Sequence, residues 1–94
     1  MSSAAQVEAS IRERLGVLQP LSIELIDESH MHAGHAGARS GGRHYRLDIE
    51  SPEFAGRRLM ERHRIIYTAL GDLMQRDIHA LSITARAPGE ARPE

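Results

Sequence analysis

Apolar residues recur along the chain at two spacings, and the spacings change in a definite order. Val7, Ile11 and Leu15 repeat at helical spacing before Gly16, whereas later segments alternate strictly between apolar and polar residues, as half-buried strands do. In chain order the pattern predicts a helix over residues 3–15, strands over 21–27 and 44–50, a helix over about 59–75, and a strand over 78–86.

The order α-β-β-α-β restricts how the strands pair. The first two strands form an antiparallel hairpin, and the crossover through the second long helix makes the third strand parallel to the second when the two are neighbours. We therefore predict a single small α+β domain with a three-stranded mixed sheet covered by helices. Its core is predicted over about residues 7–87, with a flexible tail over 88–94.

The segment joining the hairpin strands, residues 28–43, has no hydrophobic period and is rich in Gly, Ala, His, Ser and Arg. This composition predicts a long flexible loop, and long loops in compact domains are often functional. The hairpin and the parallel crossover together bring this loop, the start of the second strand and the start of the third strand to one end of the sheet.

Six histidines and no cysteine make that end of the sheet a candidate metal site. His30, His32, His35 and His44 fall within or beside the loop, and His79 lies at the start of the third strand. Neutral imidazole is a common ligand of transition metals. The alternative is a partly buried His79 bonded to backbone and solvated loop histidines, and the spacing alone does not match a zinc site.

The strand period also predicts which way the histidines face. His79 is in phase with Leu81 and Ile83, so it is expected at the edge of the helix-covered face. His44 is out of phase with Tyr45, which predicts the opposite face and a structural or exposed role. His63 falls on the apolar stripe of the long helix and is expected to be a core residue.

Composition narrows the class of function. The formal charge is −1 and no apolar stretch approaches a membrane span, so we expect a soluble, cytoplasmic protein that binds no membrane. No nucleophile–base pair or cofactor loop is evident, which predicts that the chain is not an enzyme. The exposed-looking arginines Arg57, Arg58, Arg62 and Arg64 are the candidates for phosphate contact, although near-neutral charge argues against strong nucleic-acid binding.

Several motifs together resemble one known family. The run R-H-R-I-I-Y at residues 62–67 and the run I-H-A-L-S at residues 78–82 look like the core signature of the BolA family. The D-E-S run at 27–29, the H-Y-R-L run at 44–47 and the S-P-E-F-A-G run at 51–56 also resemble it. The likeness extends over about residues 7–87 and implies a fold like a class II KH domain.

The resemblance also implies a partner, a cofactor and ligands. Members of this family pair with monothiol glutaredoxins and share a [2Fe-2S] cluster, to which glutaredoxin contributes a cysteine and glutathione a thiolate. The family's last histidine ligand corresponds here to His79, and its loop ligand to His32, with His35 or His30 as alternates. The expected protein is a non-enzymatic adaptor in iron–sulfur trafficking or sensing, a monomer alone and a heterodimer with its partner.

Two departures and one alternative accompany this resemblance. The loop lacks cysteine, which places the chain with the histidine-type members, and the tail lacks the acidic, tryptophan-containing ending common in the family. The alternative is a KH-like transcriptional regulator that binds DNA through the arginines at positions 57, 58, 62 and 64.

Overall fold

Three strands form a sheet in the order β1-β2-β3, and helices pack on one of its faces. The computed structural model describes residues 4–28 and 43–90. Its strands and helices, with two short 3₁₀ turns, are α1 (Ala4–Leu15), the turn Gly16–Leu18, β1 (Ser22–Asp27), β2 (Arg43–Glu50), the turn Pro52–Phe54, α2 (Leu59–Leu70), α3 (Leu73–Arg76) and β3 (Ile78–Arg86).

The predicted topology is confirmed. β1 and β2 pair antiparallel with Leu25 opposite Leu47, and β2 and β3 pair parallel with Leu47 opposite Ile83. The helix-covered face carries the buried residues of the sheet, among them Tyr45, Leu47 and Ile49 of β2, as the alternation predicts. The central position of β2 gives it neighbours on both sides and explains why its core residues are almost fully shielded.

The α1 helix matches its sequence pattern closely. Val7, Ile11 and Leu15 are all buried, and they form the stripe that packs on the sheet and on α2. Arg14, on another side of the helix, donates a hydrogen bond of 3.0 Å to the carbonyl oxygen of Leu70. The Arg14 side chain thereby donates to a carbonyl oxygen that has no helical partner at the end of α2.

The second long helix is shorter than its apolar stripe predicts. It ends at Leu70, and Gly71 has φ 56°, a left-handed value that glycine adopts without steric cost. The apolar period continues through Leu73 because α3 begins there and buries that side chain as well. Two apolar residues of α2 are exposed: Leu59, at 61%, lies in the first turn before the buried residues begin, and Tyr67, at 42%, lies toward the outer side of the helix.

Two contacts join segments that are distant in the sequence, one made by Ser51 and the other by Glu90. The Ser51 hydroxyl donates to the carbonyl oxygen of Leu18 at 2.6 Å and accepts from the Glu53 N–H at 3.1 Å, which caps the turn Pro52–Phe54. Glu90, within the predicted tail over 88–94, pairs with Arg62 of α2 at 2.6 Å, and the flexibility of the tail stays a prediction. Residues 91–94 and positions 29–42 of the predicted loop lie outside the described residues, whereas Arg43, predicted in the loop, begins β2.

Across the described residues, no helix is long and apolar enough to cross a membrane.

Candidate functional site

Two histidines lie side by side where β2 and β3 begin. The ring centroids of His44 and His79 are 5.1 Å apart, and the ring planes are tilted by 46°. His79 is exposed and His44 is half-buried. Tyr45, next to His44, is buried beneath the helices, so the pair lies on the sheet face that the helices leave uncovered.

An extra residue in β3 creates this pair. Arg43 is opposite Ile78 but the next residue, His44, is opposite Ala80, so the register shifts by one and His79 is the additional residue. Such a bulge lets two consecutive side chains leave on the same side of the sheet. The prediction that His79 shares the face of Leu81 was therefore wrong, since it assumed an uninterrupted strand.

His44 contacts His79, which the sequence pattern did not predict. Its predicted orientation, opposite to Tyr45, agrees with the structure, but a structural or merely exposed role did not anticipate the contact with His79. One signal was available. Ile78 and Leu81 are both apolar and three residues apart, and a regular strand cannot turn both toward one core. That spacing indicates an extra residue between them.

The backbone around His44 is held by the hairpin. The N–H of Glu28 donates to the carbonyl oxygen of His44 at 2.8 Å, which extends the pairing of β1 and β2 by one step. Arg46 pairs with the Glu28 carboxylate at 2.9 Å, and Arg43 lies 3.5 Å from the Asp27 carboxylate. Both ends of segment 29–42 thus start from the immediate neighbourhood of the histidine pair.

Tyr45 is a buried titratable group beneath this end of the sheet. The pKa of the Tyr45 hydroxyl is raised to about 12, chiefly by burial and then by the nearby Asp27 carboxylate, while Arg43 acts in the opposite direction. The hydroxyl stays protonated across the physiological range and does not serve as a base there. Tyr45 therefore supports the site by packing, with its ring 2% exposed.

The other predicted site residues are distributed as follows. His30, His32 and His35 lie outside the described residues, so their relation to His79 stays a prediction. His63 is half-buried on α2, and within the described part of the chain its Nε2 is shielded from solvent without a hydrogen-bond partner. No group of three or more metal-binding side chains occurs among residues 4–28 and 43–90.

The four arginines singled out near α2 do not form a uniform cationic surface. Arg57, Arg58 and Arg64 are exposed. The side chain of Arg62 is only 12% exposed, because it binds both carboxylate oxygens of Glu90 at 2.6 and 2.9 Å and the carbonyl oxygen of Ala85 at 3.1 Å. Its guanidinium is thus already occupied by an internal anion.

Comparisons with known proteins agree with this architecture. SufE-like protein 1, chloroplastic/mitochondrial, of Arabidopsis thaliana is 44% identical over 85% of this chain, which spans only 23% of that protein. The DNA-binding transcriptional regulator BolA of Escherichia coli (strain K12) is 36% identical over 78% of this chain and 71% of its own. The solved BolA domain of SufE1 from Arabidopsis thaliana superposes with a TM-score of 0.76 and 39% identity, covering 97% of this chain and all of that one.

A family model described as BolA-like protein matches residues 15–90, a range that runs from the end of α1 to the turn closed by Glu90. The match includes both histidines of the pair and every strand of the sheet. Together with the three-stranded fold and its structural relatives, it shows that this chain belongs to the BolA family.

Proposed function

We propose that this chain is a non-enzymatic adaptor that pairs with a monothiol glutaredoxin and co-ligates a [2Fe-2S] cluster through histidines. The observation that carries the proposal is the pair of imidazole rings, His44 and His79, 5.1 Å apart at the end of the uncovered sheet face. His79 is exposed, so a partner protein can reach its ring without unfolding the domain.

The residue types suit the proposed cluster. Imidazole nitrogens replace thiolates on one iron of Rieske-type [2Fe-2S] centres, and the chain, which has no cysteine, can offer only such ligands beside its carboxylates. Bound there, the cluster would supply reversible one-electron chemistry and iron–sulfur units for transfer. The protein's part is to hold neutral imidazoles in place, because a protonated histidine cannot bind iron.

His79 is the proposed ligand on β3, and we propose that a histidine between positions 30 and 44 is the second ligand. His32 is the proposed loop ligand, with His35 and His30 as alternates. All three follow Glu28 by at most seven residues. Since an extended chain spans up to about 3.3–3.6 Å per residue, the chain after Glu28 is long enough for each of them to contact the histidine pair. The geometry adds His44, which already lies beside His79.

The test is a titration of a reconstituted [2Fe-2S] monothiol glutaredoxin, in its glutathione-bound form, with this protein, followed by visible circular dichroism. We expect a new spectrum that saturates at a ratio of one to one and is changed or lost with His79→Ala. Separate His44→Ala, His32→Ala, His35→Ala and His30→Ala variants then identify the second ligand. His63→Gln, which alters a histidine of α2, is the matched control and should give the wild-type spectrum.

A spectrum that does not respond to the wild-type protein would reject the shared cluster. Loss of the signal with His63→Gln as well as His79→Ala would mean that the variants report unfolding, which far-UV circular dichroism detects independently. We propose the cytoplasm as the compartment. That location stays a prediction, since one similar protein is named chloroplastic/mitochondrial.

A second candidate function is DNA binding, favoured by the Escherichia coli relative whose name describes a DNA-binding transcriptional regulator. Arg57, Arg58 and Arg64 are exposed and available for phosphates, whereas Arg62 is paired with Glu90. Three phosphate contacts predict that the logarithm of duplex affinity falls with the logarithm of salt with a slope of about −3. Binding that is absent at low salt would exclude this function for the isolated domain.

A further inference from the structure

The outer side of α2 exposes more apolar surface than a solvated helix needs. Met60 is 75% exposed and Tyr67 42%, and Val17, in the turn that precedes β1, is 73% exposed. We call the α2 surface the patch formed by Val17, Met60, Arg64, Tyr67 and Thr68. Contiguous apolar residues with a polar group among them are typical of interaction sites, whereas single exposed apolar residues are ordinary.

Two open cavities divide the α2 surface and share its centre. One, of about 380 Å³, lies between the 3₁₀ turn and α2 and is lined mainly by Val17, Leu18, Ile65 and Ala69. The other, of about 460 Å³, lies beside Met60, His63 and Tyr67. Arg64 and Thr68 line both cavities. A ligand that filled both would therefore cross Arg64.

Arg64 is an uncompensated cation at that crossing. Among residues 4–28 and 43–90, the Arg64 side chain forms no ion pair or hydrogen bond, unlike most of the other arginines. Glu61, on the same lining, uses Oε1 to accept the backbone N–H of Arg58 at 3.0 Å. Arg57 and Arg58 add two further exposed cations at the start of α2. The complementary ligand is acidic.

The α2 surface lies on the far side of the domain from the histidine pair. α2 packs its buried residues Ile66 and Leu70 toward the sheet, so its exposed side chains point away from the sheet. His44 and His79 occupy the opposite, uncovered face. A protein bound at the histidines therefore leaves the α2 surface accessible to a different protein.

We propose that the α2 surface docks an acidic amphipathic segment of a second protein, with apolar side chains in the two cavities and a carboxylate on Arg64. α2 has 12 residues and a length of about 18 Å, which matches about three turns of a helical ligand. The concave apolar lining favours protein side chains over a nucleic-acid backbone or a flat lipid surface. This proposal does not depend on the iron–sulfur function.

The test uses peptides of about 16 residues, selected from a random phage-displayed library on the wild-type protein and counter-selected on the uncoated support. We expect the enriched sequences to combine carboxylates with apolar residues at helical spacing. Synthesised with a fluorescent label, they should bind the wild type and lose at least about tenfold in affinity with Arg64→Glu, because a charge-assisted hydrogen bond is removed. Backbone amide shifts on binding should concentrate in α2 and the 3₁₀ turn.

Arg12→Glu is the matched control, because Arg12 is exposed on α1 outside both cavities, and it should leave affinity within about twofold of the wild type. Enrichment of basic peptides, or equal binding by Arg64→Glu, would overturn the proposal. A dimer in sedimentation equilibrium that Met60→Asp dissociates would instead assign the surface to a second copy. Binding of duplex DNA or anionic vesicles that Arg64→Glu abolishes, without peptide binding, would also overturn it.

Discussion

Arg86 is a buried cation at the end of β3, and replacing it with methionine is expected to destabilise the domain by about 3 kcal/mol. Its side chain is 9% exposed, and Nε and Nη2 donate to Oδ1 of Asp48 at 3.1 and 3.0 Å. Nη1 lies 3.5 Å from the Glu50 carboxylate. Methionine preserves much of the apolar stem but removes the charge that these two neighbouring carboxylates share.

The magnitude follows from burial, since the carboxylates of Asp48 and Glu50 are 15% and 24% exposed and recover little hydration when the cation is lost. Removing one member of a buried ion pair typically costs about 3–5 kcal/mol, and the partial exposure here selects the lower end. For a domain of this size, about 3 kcal/mol corresponds to a fall in melting temperature of roughly 12–24 °C.

A second ion pair of the same sheet provides a control, because it tests whether burial or the distance between the charges determines the loss of stability. Arg46 and Glu28 lie closer together, at 2.9 Å, but the side chain of Arg46 is 58% exposed. Arg46→Met is therefore expected to cost only about 0–1 kcal/mol. Urea unfolding followed by far-UV circular dichroism measures both changes. Equal losses for Arg86→Met and Arg46→Met would refute the argument, as would a double variant Arg86→Met/Asp48→Asn that is no more stable than Arg86→Met.

Two further predictions concern the hydrogen bonds of Ser51 and the ion pair of Glu90. Ser51→Ala removes the 2.6 Å bond to the Leu18 carbonyl oxygen and the cap of the following turn, and should cost about 2 kcal/mol in urea unfolding. The exposed Ser82→Ala should change stability by less than about 0.5 kcal/mol, and a similarly small loss for Ser51→Ala would contradict the prediction. The second concerns Glu90, whose pKa is lowered from 4.5 to about 2, first by its hydrogen bond from Arg62. Because the folded pKa lies below the unfolded value, the stabilisation is complete above pH 4.5 and lost as the pH falls toward 2. The melting-temperature difference between wild type and Glu90→Gln should follow that window, and a difference that is constant down to pH 2 would be inconsistent with it.

The parts of the fold that rest on local periodicity could be predicted from sequence. The stripe of Val7, Ile11 and Leu15 is buried as expected, and the alternation around Leu47 and Ile49 identifies the core face of β2. The order of elements then determines the parallel pairing of β2 with β3 by connection rules. These predictions succeed because each depends on hydrophobic burial repeated over several residues.

The parts that rest on single residues could not be predicted in the same way. The helical period runs without a break through Leu70 and Leu73, yet Gly71 divides α2 from α3. The pairing of Arg62 with Glu90 joins residues 28 positions apart, and nothing in either local sequence marks it. The contact of His44 with His79 depends on one extra residue in β3, which the regular alternation after Leu81 conceals.

Because His79 is an extra residue in β3, the contact between His44 and His79 depends on the length of the strand as well as on the identity of its residues. Deleting one residue between Ile78 and Leu81 would allow an uninterrupted ladder with both core anchors retained on the helix-covered side. The single residue left between them would then occupy the place that His79 and Ala80 now share. A deletion that the core tolerates can thus separate the two imidazole rings, so two relatives can differ in the geometry of this pair while agreeing at every aligned position.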